Sequence, residues 1–132
     1  MPHEQPPLTI RRLQAPYAVC RLPADSPAPS LDDVDGGFVC VARTPHELSV
    51  VCPEDRAPAG ARIEGPWTAL QVVGPLDLSL VGVLADLATT LADAGVSIFA
   101  ISTFDTDYLL VRDLDATPAI AALTDRGHRL VA

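Results

Sequence analysis

The chain has 132 residues, 48% of them hydrophobic, and a formal net charge of −8. That length suits one ordinary domain or two small ones sharing a core, and the acidic charge, with no local cluster of Lys or Arg to reverse it, argues against nucleic acid as a partner. No apolar stretch reaches the ~18 residues of a membrane span, and the start, "MPHEQPPLTIRR", lacks the basic-then-apolar order of a signal peptide, so a soluble, cytoplasmic protein without membrane contact is expected.

In chain order, "LTIRRLQAP" (8–16) reads as a first strand and Tyr17–Leu22 as an extra one. Pro23, Pro27 and Pro29 remove backbone donors and forbid a helix in the stretch that follows. After Gly36 and Gly37, "FVCVARTPHELSVVCPED" (38–55) reads as strand, turn and strand, and 56–66 as a short, stiff connection. "WTALQVV" (67–73) is the next strand, ended by Gly74 and Pro75. Leu80, Leu84, Leu87 and Leu91 recur at helical spacing and predict a helix over 79–94, with Asp77 or Ser79 as its cap and Gly95 just past its end. "VSIFAIS" (96–102) and "DYLLVR" (107–112) are strands by composition. Thr117 as N-cap, Pro118 at the first helical position and Gly127 as the stop predict a second helix, and "HRLV" a short closing strand.

The order βαββαβ in the second half is the split βαβ of ferredoxin-like α+β folds, an antiparallel sheet with both helices on one face. A shift of 60 lays 38–55 over 98–115 without a gap, pairing Glu47 with Asp107 and Arg43 with Thr103. A shift of 59 lays 8–16 over 67–75. The chain thus divides into a helix-poor half, 1–62, and a complete half, 63–132.

Chemistry-bearing motifs are scarce. Cys20, Cys40 and Cys52 each sit in an apolar run with no Cys-x-x-Cys pair, so they read as small, unreactive core residues. His3, His46 and His128 are scattered without metal-ligand spacing, and no phosphate loop or nucleophile elbow occurs. No metal, cofactor or catalytic residue is expected, although Asp77, Asp105, Asp107 and His46 are the residues an acid–base enzyme would use.

"GPLDLSLVG" leading into the first helix and "ISTFDTDYLLV" across the next two strands resemble an ACT domain. The whole is similar to small stand-alone bacterial tandem-ACT proteins related to the CASTOR-type arginine sensors, whose first half is a degenerate, helix-poor ACT-like unit. The resemblance implies a non-catalytic regulatory protein that binds a free amino acid, arginine or another cationic one among the candidates, acts as a homodimer and reports to an unknown downstream protein. An amino acid needs an anion site and a cation site. The first helix start, with Asp77, Leu78, Ser79 and Gly82, offers open N–H groups and a favourable dipole for a carboxylate. The "STFDTD" turn offers the carbonyls of Ile101 and Thr103, the hydroxyls of Ser102 and Thr103, Phe104 as a wall, and Asp107 for an ammonium. Strand alternation puts Asp107 on the face of Leu109 and Val111, whereas Asp105 is placed in solvent. The rival expectation is an ACT-like protein-interaction module with no small ligand.

Overall fold

Eight strands and two helices occur among the described residues: β1 (Thr9–Arg12), β2 (Tyr17–Leu22), β3 (Cys40–Arg43), β4 (Leu48–Pro53), β5 (Arg62–Val72), α1 (Val83–Asp93), β6 (Ile98–Ser102), β7 (Asp107–Arg112), α2 (Ala116–Asp125) and β8 (Arg129–Val131). The computed structural model describes residues 7–32, 34, 37–74 and 82–132. The chain forms two compact units. The larger joins the N-terminal segment through Gln14 to Thr68–Ala132, and the smaller is Ala15–Trp67.

In the larger unit the strand order is β6-β7-β5-β1-β8. β1 runs antiparallel to β5, with Ile10 opposite Val72, and parallel to β8, with Ile10 opposite Leu130. One apolar cluster unites Leu70 and Val72 of β5, Leu109 and Val111 of β7, Leu87 and Leu91 of α1, and Ala119 and Leu123 of α2. Both helices therefore bury their apolar stripes against the same sheet face, as the spacing of Leu87 and Leu91 requires. Gly95 and Gly127, at φ 76° and 103°, end the helices as the sequence predicts.

In the smaller unit the order is β3-β4-β2, with the first residues of β5 beside β2. Numbered within this unit, that is 2-3-1-4, the ferredoxin-like order. β5 therefore serves as the fourth strand of one set and the first strand of the next. A second cluster, Ala18, Cys20, Leu22, Leu48, Val50 and Cys52, lies on one face of this sheet. No helix follows β2. Instead the chain turns at 23–26, where the Ser26 N–H donates to the Pro23 carbonyl and Arg43 donates to the carbonyls of Ala24 and Ser26. A 3-10 turn at Glu54–Arg56 follows β4 as one at Asp113–Asp115 follows β7, but only the latter leads into a helix. Cys20 and Cys52 are buried free thiols, and burial first, then the neighbouring Cys20, pushes Cys52 up to about 12.

Several expectations are corrected. The segment 8–16 is not the first strand of the smaller unit. β1 hydrogen-bonds into the larger unit, and Tyr17–Leu22, expected to be an extra strand, is the first of the smaller one. The sheet is not wholly antiparallel, because β1 and β8 run parallel. Residues 62–66 are strand rather than connection, since β2 pairs with them from Arg21 opposite Arg62 to Val19 opposite Glu64. The second helix starts at Ala116 with Asp115 as N-cap, so Thr117 and Pro118 lie inside its first turn, where a missing N–H costs nothing.

Candidate functional site

Ser102 and Asp107 face each other at the end of the β6–β7 ladder. Between them the chain turns through residues 103–106. The Thr103 N–H donates to the Thr106 carbonyl at 2.8 Å. The Thr103 hydroxyl accepts the Thr106 N–H at 3.2 Å and donates to the Thr106 carbonyl at 3.1 Å. This threonine closes the turn through both its backbone and its side chain. The Ser102 hydroxyl donates to Asp107 Oδ1 at 2.5 Å, which leaves its own lone pairs as acceptors. Asp107 is half-buried on the face that carries Leu109 and Val111, while Asp105 is exposed, as expected of each. Phe104 is 81% exposed. Ile101 is half-buried at the end of β6.

Thr106 is the residue the sequence reading passed over. It is buried, and its hydroxyl donates to the carbonyl of Val72, the last residue of β5. That bond ties the turn to the point where the chain leaves β5 for the first helix. A threonine inside a turn, two residues before an apolar strand, was the available signal. The helix itself begins at Val83, not at 79: Gly82 is its N-cap at φ 85°, with no side-chain cap bond. A left-handed residue cannot continue an α-helix, and glycine adopts that conformation without strain. Asp77, Leu78 and Ser79 lie outside the described residues.

The matching turn of the smaller unit uses the same device. The Thr44 N–H donates to the Glu47 carbonyl at 2.9 Å, and the Thr44 hydroxyl accepts the Glu47 N–H at 3.1 Å. Thr44 therefore corresponds to Thr103 and Leu48 to Asp107, an offset of 59 rather than 60. Glu47 thus matches Thr106 and Arg43 matches Ser102, not Asp107 and Thr103. The turn bonds and the ladder pairs agree on this offset.

His46 belongs to the smaller unit, while Asp105 and Asp107 belong to the larger. Among the described residues no cluster of His, Cys, Asp or Glu is arranged for a metal. No helix among them is long and apolar enough to cross a membrane.

Residues 62–125 match the family model of the ACT domain, and residues 15–60 match a model of N-terminal domains. A crystallographic structure of an Agrobacterium tumefaciens protein is 36% identical over 96% of this chain and 94% of its own, with a TM-score of 0.84. Residues 62–125 are an ACT domain. A Vibrio cholerae protein of unknown function, described as a possible transport protein, is 23% identical over 90% of this chain and 89% of its own, with a TM-score of 0.71. The regulatory subunit of aspartate kinase from Thermus flavus is 12% identical over 89% of this chain and 95% of its own, with a TM-score of 0.61. At those identities the likeness is one of fold. No curated protein matches the chain. The ACT match spans β5 through α2, so the Ser102–Asp107 pair, the Thr106 tether and the start of α1 all lie within the ACT domain. ACT domains are regulatory, small-molecule-binding modules.

Proposed function

We propose that this ACT protein is a non-catalytic sensor of a free amino acid, held between the start of α1 and the 103–106 turn. The observation that carries this reading is the Thr106–Val72 bond, which draws the turn to the strand end that leads to an α1 start without a side-chain cap. A carboxylate is stabilised by the N–H groups and dipole there, with Asp77, Leu78, Ser79 and Gly82 around it. The ammonium is met by Asp107, whose Oδ1 already takes Ser102 and whose other oxygen is offered to the ligand. Ile101 and Thr103 contribute carbonyls. An acidic chain favours a cationic amino acid such as arginine, in keeping with a relation to the CASTOR-type sensors. The protein acts in the cytoplasm as a homodimer that reports to a partner protein.

A second reading draws on a different observation. Phe104 and Leu114 are 81% and 82% exposed, and large apolar side chains in water suit a protein-interaction module without a ligand.

A thermal-shift survey of the amino acids separates the two readings. At least one ligand stabilises the sensor, by about 2.7 kcal/mol at ~100 Kd. Asp107→Asn weakens that ligand at least about tenfold, since truncating one partner of a desolvated charge pair costs roughly 2–5 kcal/mol, and Asp105→Asn changes little. A flat survey selects the interaction module.

A further inference from the structure

One titratable side chain of the larger unit is closed off from solvent and only half satisfied. The His128 side chain is 2% exposed. It sits in the link between α2 and β8, where the backbone is fixed: Gly127 turns at φ 103°, and the His128 N–H donates to the Leu123 carbonyl of α2 at 3.1 Å. The ring Nδ1 accepts the Leu8 N–H at 3.1 Å, one residue ahead of β1. Nδ1 therefore presents a lone pair, and the neutral ring carries its proton on Nε2. Nε2 has no hydrogen-bond partner among the described residues. It faces Asp86 Oδ2 of α1 at 3.8 Å, too long for a hydrogen bond.

The charges that act on the ring come from both helices. α1 supplies Asp86, and Arg126, just past the end of α2, donates to Asp86 Oδ1 at 2.8 Å. Asp86 Oδ2 is the oxygen turned toward the ring. From the β1 side the ring meets the Leu8 N–H, and Arg129 of β8, though next in the chain, is exposed. Burial resists protonation and lowers the pKa from its ordinary 6.5, Asp86 opposes that and Arg126 adds to it. The neutral ring is therefore the folded form at neutral pH, and a proton taken up in acid has two effects. It turns Nδ1 into a donor that confronts the Leu8 donor, and it gives Nε2 a charge that Asp86 Oδ2 attracts across a poorly solvated gap. The two nitrogens lie on opposite sides of the ring, so both effects drive it the same way, off Leu8 and toward α1.

We propose that His128 is an acid-operated latch on the start of the first strand: neutral, it holds Leu8; protonated, it releases Leu8 and closes on Asp86. The movement is local. The Leu8 carbonyl accepts the Arg129 N–H at 2.8 Å, and beyond it β1 is paired on both sides, to β5 and to β8. Loss of one side-chain acceptor frees the Leu8 N–H while the strand stays in its sheet. Asp86 holds Arg126 through its other oxygen, so the protonated ring has a fixed place to go. That second position distinguishes a latch from general weakening in acid. The attachment of the chain ahead of Thr9 thus follows pH. The latch is separate from the 103–106 turn and does not depend on a ligand there.

The test is NMR of the whole protein from neutral to mildly acidic pH. Long-range proton–nitrogen spectra report the state of the His128 ring, and amide exchange corrected for its intrinsic pH dependence reports the latch. At neutral pH the ring should be the neutral Nε2–H tautomer. As it protonates, Leu8 should lose at least about tenfold more protection than the core amides of β5 and β7, a difference of ~1.4 kcal/mol. Asp86→Asn removes the attracting charge and should move both the ring titration and the loss at Leu8 to lower pH. His128→Gln keeps an acceptor for Leu8 that does not titrate, and should abolish the response. The unmodified protein decides the question even if a variant fails to fold. The proposal is overturned if the ring protonates with Leu8 as protected as before, or if Leu8 and the core amides lose protection equally, which is global unfolding. It is equally overturned if the ring stays neutral until the protein unfolds, if folded Asp86→Asn titrates as the parent does, or if folded His128→Gln keeps the response.

Discussion

His128 is the most constrained titratable side chain in the larger unit. Its Nδ1 accepts the Leu8 N–H at 3.1 Å, which fixes the proton of the neutral ring on Nε2. Nε2 faces Asp86 Oδ2 at 3.8 Å, and Asp86 Oδ1 takes Arg126 at 2.8 Å. Burial lowers the His128 pKa from its ordinary 6.5, Asp86 opposes that and Arg126 adds to it. The unfolded chain therefore binds this proton first. Stability is complete above pH 6.5, falls as the pH drops below that value, and levels off below the folded-state pKa. Protonation at Nδ1 also removes the acceptor for Leu8, at the entry to β1. Urea midpoints measured between neutral and mildly acidic pH should show this loss, and His128→Gln should flatten it. In the smaller unit, Tyr17 is wholly buried. Its hydroxyl accepts the Phe38 N–H at 2.7 Å and donates to the Phe38 carbonyl at 3.0 Å, and its ring stacks on Phe38 at 4.7 Å. Gly37 makes room for it, since a Cβ there would come within 2.3 Å of the hydroxyl. Tyr17→Phe keeps the stack but removes both bonds to the Phe38 backbone, and should cost about 1–3 kcal/mol in chemical denaturation.

At the scale of the element, the β6–β7 turn is held twice, once within itself through Thr103 and once to β5 through Thr106. The first bond shapes the turn and the second sets its place beside the path to α1. Thr106→Val conserves shape and β-branching yet leaves the Val72 carbonyl without this donor. It should cost roughly 1–3 kcal/mol in stability, and weaken the amino acid ligand as well, because the turn loses its tether. Ser102→Ala should cost less, as Ser102 is exposed and its bond to Asp107 lies near water. A variant at Thr106 that kept full stability in denaturant titrations would show that the tether does not hold the turn.

At the scale of the molecule, β1 is the strand that completes the larger unit. It lies between β5 and β8, so a chain of residues 63–132 alone would leave β5 without one neighbour and β8 without a pair. Such a fragment should show poor amide dispersion and no cooperative thermal transition. The opposite end of β1 suggests the repair. Leu13 donates to the Ala69 carbonyl at 2.9 Å, so residues 14 and 68 approach as the two arms of a hairpin. Residues 1–14 joined to 68–132 by an Asn-Gly turn should fold cooperatively. A cooperative fold in the 63–132 fragment without β1 would show that the strand is dispensable.

The local signals in the sequence were sufficient for every element whose cause is local. Prolines at 23, 27 and 29 excluded a helix, glycines at 95 and 127 ended two, leucines at 87 and 91 oriented one, and alternation put Asp107 on the covered side of β7. The ACT-like character of the second half was legible for the same reason, because its βαββαβ order is a string of local patterns. Tertiary structure alone decided the partners. A strand's sequence states which face is apolar but not which strand lies beside it, so β1 could be read as the start of either unit until its hydrogen bonds to β5 and β8 were seen. The same holds for the one-residue offset of the two turns, for Ser102 serving Asp107, and for the hydroxyl of Thr106 reaching a carbonyl 34 residues earlier. Each is a bond between chain segments whose own sequences are satisfied equally well by other neighbours, and only folding the whole chain chooses among them.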